Sequence, residues 1–477
     1  MSATGPPQGA RPPGGSGAQR RSGEPFLAAR RRFLAQAGGL TAAALVPALS
    51  GIVPLARAQA TPYRALVCVF LSGGNDGNNT VVPYDDYANY AAGRPNGGSG
   101  AALARGELLP IAPGNLSRTF GLHPNLAPLV PLFEQHKLAV VNNVGTLVAP
   151  LTKAEFLAGS KRPRNLFSHS DQQLTAQGQV PGQATPTGWG GRAIDTAGGG
   201  NAARGIPGMV SLAGDALFTV GATSLPVALS RYGSLGLAAD RTSDEGRIRY
   251  EAFARILTLD RDNQLVAAAQ EVMALAVRSS EALAGALDDA SPVIDAAFAG
   301  VGGGLADQLY QTAKLIAAHD ALGVARQGFF TEVGGYDTHN DQRGELARRY
   351  DELAPALAAF QRALDDLGLA GQVTTFTLSE FNRTFRVNAN AGTDHAWGGP
   401  QLVLGGAVRG GTFYGRYPDL TMGGPDDASD YGAWIPGASF DQYGATLARW
   451  LGVPPAQLTQ VFPLLATFPV QDLGFMG

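Results

Sequence analysis

One short segment restricts the fold of this chain more than any other. Ala65-Leu-Val-Cys-Val-Phe-Leu71, entered through Arg64, is a continuous apolar run with no polar alternation. Both of its faces must therefore be covered, as in the central strand of a parallel sheet. It stops abruptly at Ser72-Gly-Gly-Asn-Asp-Gly77, a loop built from turn-forming residues. Comparable runs at Lys137–Asn143, Gln327–Val333, Gln372–Leu378 and Gln401–Leu404 predict further strands. Helical spacing predicts helices between them. One covers Pro124–Gln135, where Leu126, Leu129, Leu132 and Phe133 share a face. The alanine-rich stretch Glu245–Leu287 predicts two more, and others follow at Leu305–Ala321, Gly344–Leu367 and Tyr443–Leu451. Strands alternating with helices predict an α/β domain, with a mostly parallel central sheet and helices on both faces. Residues 195–245, rich in Gly, Ala and Ser, are expected to form an irregular insertion.

The first 60 residues have a different character. Arg30, Arg31 and Arg32 are followed by Phe33 and Leu34, then by an uncharged run from Ala35 to Ala48. That run is shorter than the roughly 20 apolar residues of a membrane span. Ala58-Gln-Ala60 has the small-x-small form of a cleavage site. The segment 1–60 thus reads as a twin-arginine signal peptide with a disordered leader. It predicts a periplasmic or extracellular domain over 61–477, handled by the twin-arginine translocase and not integral to the membrane after cleavage. The segment holds seven Arg and one Glu, so 61–477 retain 29 basic and 38 acidic residues, a net charge of −9. Such a balance gives no electrostatic attraction to nucleic acid. The single cysteine, Cys68, excludes an intramolecular disulfide.

Ligands of open parallel sheets bind beyond the carboxyl ends of the strands. Asp76 follows the first predicted strand, Asp337 and His339 the third, and Glu380 the fourth, with Asp394 and His395 shortly beyond. Three of the six histidines stand beside both a carboxylate and a hydroxyl, in Ser168-His-Ser-Asp171, Asp337-Thr-His339 and Thr393-Asp-His395. Mixed Asp/His ligation suits zinc, manganese or iron better than calcium, which prefers oxygen alone. Each triplet taken singly is also an ordinary turn or helix cap. Trp189 and Trp397 fit either a core or a sugar-binding wall. His123 fits a helix start, and His136 and His319 fit the surface.

Taken in order, five motifs resemble the domain-of-unknown-function 1501 family. They are Phe70-Leu-Ser-Gly-Gly-Asn-Asp-Gly-Asn-Asn79, Phe167-Ser-His169, Gly335-Tyr-Asp-Thr-His339, Ser379-Glu-Phe-Asn-Arg-Thr384 and Gly392-Thr-Asp-His-Ala-Trp-Gly-Gly399. The resemblance implies twin-arginine export and a three-layer fold like that of the alkaline phosphatases and sulfatases, with one or two divalent metal ions. It implies Asp76, Asp337, His339, Glu380, Asp394 and His395 as metal ligands and His169 as an additional one. Ser168 or Ser170 would be the nucleophile. A small-molecule or glycan ester of phosphate or sulfate would be the substrate. A non-catalytic envelope protein, using the same fold for binding or assembly, is the alternative. The chain departs from the family in having Asn382 and Ala396 where glycine is usual. It also lacks the Cys-x-Pro-x-Arg signature of formylglycine sulfatases.

Overall fold

The run that opens the folded part of the chain sits in the middle of the main sheet. A computed structural model describes residues 62–95, 100–197, 207–231, 243–288 and 291–477. The expected signal segment 1–60 and parts of 195–245 lie outside the described residues. The strands, in chain order, are β1 (Arg64–Leu71), β2 (Val81–Pro83), β3 (Leu109–Ile111), β4 (Phe120–Leu122), β5 (Leu138–Gly145), β6 (Met209–Ser211), β7 (Val227–Ala228), β8 (Arg326–Val333), β9 (Val373–Leu378), β10 (Gly399–Leu404), β11 (Phe413–Tyr414) and β12 (Ala438–Ser439).

Nine of these form one sheet in the order β11-β5-β10-β9-β1-β8-β6-β7, with β12 also paired to β5. β1 is parallel to both β8 and β9, and β6 and β7 continue the parallel set. β10 runs antiparallel to its neighbours β9 and β5. The sheet is therefore mixed but largely parallel. A small antiparallel sheet, β2-β4-β3, stands apart from it.

The unbroken hydrophobicity of β1 has a direct structural reason. Ala65, Val67, Val69 and Leu71 face a core shared with the helices Gly304–Ala317 and Gln342–Asp366. Leu66, Cys68 and Phe70 face a second core, shared with the helices Trp189–Thr196, Phe440–Leu451 and Leu458–Val461. Helices thus cover both faces, and no residue of β1 beyond Arg64 can be polar without losing buried contacts. The stretch expected to be two helices forms Asp244–Ile256 and Gln264–Asp288. No helix among the described residues is long and apolar enough to cross a membrane.

Two features differ from the sequence expectation. Residues 195–245 are not wholly irregular, because β6 and β7 extend the sheet at one edge. Strands of three and two residues are too short to carry a readable pattern. The reversed direction of β10 was also not foreseen, and it matters for the site. Entering antiparallel, β10 begins at the edge where β9, β1 and β8 end, so the segment just before Gly399 is delivered there too.

Candidate metal centre

Three adjacent parallel strands end together, and their loops are tied to one another. The loop after β1 donates Gly73 N–H to Glu380 Oε1 (2.8 Å) and Asn75 N–H to Ser379 Oγ (2.9 Å), both in the loop after β9. Gly73 also lies against the loop after β8. Its φ is +119°, and a Cβ there would sit 2.3 Å from the Asp337 nitrogen, so only glycine permits the approach. Gly392 does the same for the segment before β10, where a Cβ would meet the His339 carbonyl at 2.0 Å. His169 arrives from the other core layer, at the first turn of the helix His169–Ala176.

The imidazoles converge on one carboxylate oxygen. Asp337 Oδ1 lies 3.4 Å from His169 Nε2, 3.0 Å from His339 Nε2 and 3.3 Å from His395 Nε2. The ligand atoms of His169, Asp337 and His395 all lie within 4.8 Å of one another. His339 joins on the outer side, with Nε2 3.1 Å from His395 Nε2. Phe381 packs against the rings of His169 and His395, at centroid distances of 4.8 and 4.7 Å.

The opposite nitrogen of each ring is occupied. His169 Nδ1 is 2.8 Å from Glu380 Oε1, His339 Nδ1 is 3.0 Å from Asp394 Oδ1, and His395 Nδ1 is 2.7 Å from the Phe167 carbonyl. Phe167 holds a φ of +71°, a conformation that a bulky residue seldom adopts, and its carbonyl is the one that His395 meets. All three partners are acceptors, so each Nδ1 carries a ring hydrogen, and the Nε2 of each ring is the atom left facing Asp337. Three imidazole nitrogens thus surround one carboxylate oxygen. His169 Nε2 is buried and makes no hydrogen bond. Such a cluster offers a cation four ligand atoms drawn from two separate loops and a helix start.

The neighbouring charges act on these groups in different directions. Partial burial acts to raise the Asp337 carboxyl, but Arg383 beside it, by charge and by a 2.8 Å hydrogen bond, brings the carboxyl below the usual aspartate value. Arg383 is fully buried and also reaches Gly73 O and Thr393. The hydrogen bond to Glu380 raises His169, whereas burial lowers His395.

The donor set fits a divalent transition metal. Ligand atoms about 2.0–2.2 Å from a tetrahedral zinc lie about 3.3–3.6 Å apart, close to the separations of His169 Nε2 and His395 Nε2 from Asp337 Oδ1. Carboxylate or carbonyl partners on the far nitrogens are what metal-bound histidines usually have. His169, Asp337 and His395 would hold the ion, with His339 at a fourth position. Glu380 would act through His169, and Asp394 through His339, instead of as ligands.

The remaining candidates are placed differently. Asp76 does not join the cluster. Both of its oxygens are taken by Arg94, at 2.8 and 2.6 Å, and both side chains are fully buried. Its neighbourhood in sequence gave no sign of this partner 18 residues away. Ser168 Oγ donates to Asp171 (2.6 Å) and lies 3.3 Å from Ser170 Oγ. Ser168 Oγ is thus engaged by Asp171 and makes no cap hydrogen bond to the helix backbone, while Ser170 is exposed. Trp189 and Trp397 are core residues. His123 starts a short helix, its Nδ1 accepting from Asn125 N–H. Arg383 and the Phe167 carbonyl had not been singled out; the position of Arg383 inside the Ser379–Thr384 motif was the available signal.

No curated protein matches the chain. A family model matches residues 63–429, which contain every residue of the cluster, and the chain belongs to that family, described as a protein of unknown function, DUF1501.

Proposed function

We propose that this chain is an exported metal-dependent hydrolase of phosphate or sulfate esters, with an alkaline phosphatase- and sulfatase-like fold and a site in the periplasm or outside the cell. The observation that carries this reading is the convergence of three Nε2 atoms on Asp337 Oδ1, with every Nδ1 held by an acceptor. Zinc, manganese or iron fits that donor set. A bound divalent ion supplies Lewis-acid polarisation of an ester oxygen and neutralises charge that develops on it.

The protein's own groups define the rest. Glu380 and the Phe167 carbonyl fix the rings of His169 and His395, so little reorganisation is needed when an ion enters. Asp337 is about half exposed, at 46%, which leaves the cluster open to a substrate on one side. Ser168 bonds to Asp171 and makes no hydrogen bond to the cluster, so water is the better candidate for attack. The same observation favours the second reading, a non-catalytic envelope binding protein.

Metal-loaded protein assayed on aryl phosphate and aryl sulfate esters distinguishes the two. Turnover that disappears in His395→Ala and on chelation is expected. Stoichiometric metal with no turnover across a broad ester panel would favour the binding protein.

A further inference from the structure

Two carboxylates sit at the same sheet edge, each beside a strand end, and sequence position alone made both candidates for a cation. Asp76 caps a single helical turn, Gly77–Thr80. Its Oδ1 accepts from Arg94 Nη1 (2.8 Å), Asn78 N–H (3.1 Å) and Asn78 Nδ2 (3.1 Å), and its Oδ2 from Arg94 Nη2 (2.6 Å). This is the paired-fork geometry by which a guanidinium saturates a carboxylate. Arg94 follows the helix Tyr87–Gly93 and is wholly buried, its guanidinium 5.9 Å from the centre of the Phe385 ring. Gly93 lets it approach, since a Cβ there would sit 2.0 Å from Phe385. Among the described residues Arg94 Nε makes no hydrogen bond, and Asp76 is the carboxylate paired with its charge.

We infer that Arg94 is the resident cation of Asp76, so that the chain takes one divalent ion, at Asp337, and none at Asp76. The guanidinium keeps its charge at every relevant pH. An incoming ion would have to displace it from a site in which it has no exposed surface and no second carboxylate. The Asp337 oxygen offers the opposite situation, with three imidazole nitrogens within 3.4 Å of it and access from solvent. This inference rests on the metal centre proposed above and fixes its stoichiometry.

The test is the number of Mn²⁺ or Zn²⁺ ions that remain bound to full-length protein after gel filtration, counted by elemental analysis. One per chain is expected in the wild type and in the double variant Asp76→Asn/Arg94→Met, with loss of nearly all of it in His395→Ala. Two per chain in the wild type, or one in the wild type and none in the folded double variant, would overturn the inference while leaving a metal centre in place. If the double variant does not fold, the wild-type count alone decides between one and two. No ion bound in the wild type would instead sink the metal-centre reading, and this inference with it.

Discussion

Asp76 and Asp337 lie a few residues past the ends of neighbouring strands, yet they are solved in opposite ways. Asp76 is sealed from water and matched by a charge the chain itself supplies. Asp337 is 46% exposed and ringed by imidazole nitrogens, with Arg383 on one side only. A buried carboxylate must be paired because no solvent can screen it. An exposed one can be left incomplete, and an incomplete donor set is what a cation site requires. The first carboxylate belongs to the fold and the second to the site.

Several measurements would break or sharpen this contrast. The largest effect should come from Arg94→Met, which strands a buried aspartate. A loss of about 3–5 kcal/mol in urea unfolding is expected. Asp337→Asn in metal-free protein should cost far less, and equal losses would erase the distinction. Divalent metal at 100-fold excess over its dissociation constant should stabilise the wild type by about 2.7 kcal/mol. Chelator should remove that gain, and Asp337→Ala should never show it.

His123 sharpens the comparison from outside the site. It is buried without a carboxylate partner, and burial, helped by the charge of Arg343, lowers it to about 3. The unfolded chain therefore takes up a proton that the folded chain refuses. Above about pH 6.5 this group has no effect on stability, and below it stability falls toward pH 3. The loss should reach about 2 kcal/mol at pH 5, at roughly 1.4 kcal/mol per pH unit. His123→Asn, which keeps the helix-start acceptor, should remove that part of the slope; an unchanged slope would count against a buried neutral ring. Asp394→Asn should weaken metal binding about tenfold by calorimetry, because it alters the support of His339 and no ligand of the inner triad. Smallest of all, Ser168→Ala should change stability by less than about 1 kcal/mol and leave ester turnover intact. Loss of turnover with metal retained would restore Ser168 as the nucleophile.

Much of the architecture was legible in the sequence because burial leaves a direct trace. Predicted Gln327–Val333 and Gln372–Leu378 differ from β8 and β9 by one residue at the start. Helix Phe440–Leu451 begins three residues earlier than the periodicity suggested, because a capping box at Ser439 and Gln442 extends it. The small sheet of β2, β3 and β4 was unreadable, each strand being three residues long. His339 was legible because Asp-x-His followed a strand end, His395 because Asp-His lay shortly beyond the next one, and His169 because it stands between two serines and before Asp171 in a family-like motif. The partition into ligands, ring supports and fold-supporting carboxylates was not. It depends on Arg94 reaching Asp76, on the Phe167 carbonyl reaching His395 across 228 residues, and on the reversed entry of β10. Those are long-range contacts, and no local pattern encodes them.

The central claim is that the cluster around Asp337 is a metal centre. Anomalous diffraction from crystals grown with zinc or manganese tests it most directly. The account predicts a strong peak with His169 Nε2, Asp337 Oδ1 and His395 Nε2 each about 2.0–2.2 Å away, and none beside Asp76. A cluster without a peak at saturating metal, or a peak between Asp76 and a displaced Arg94, would contradict it.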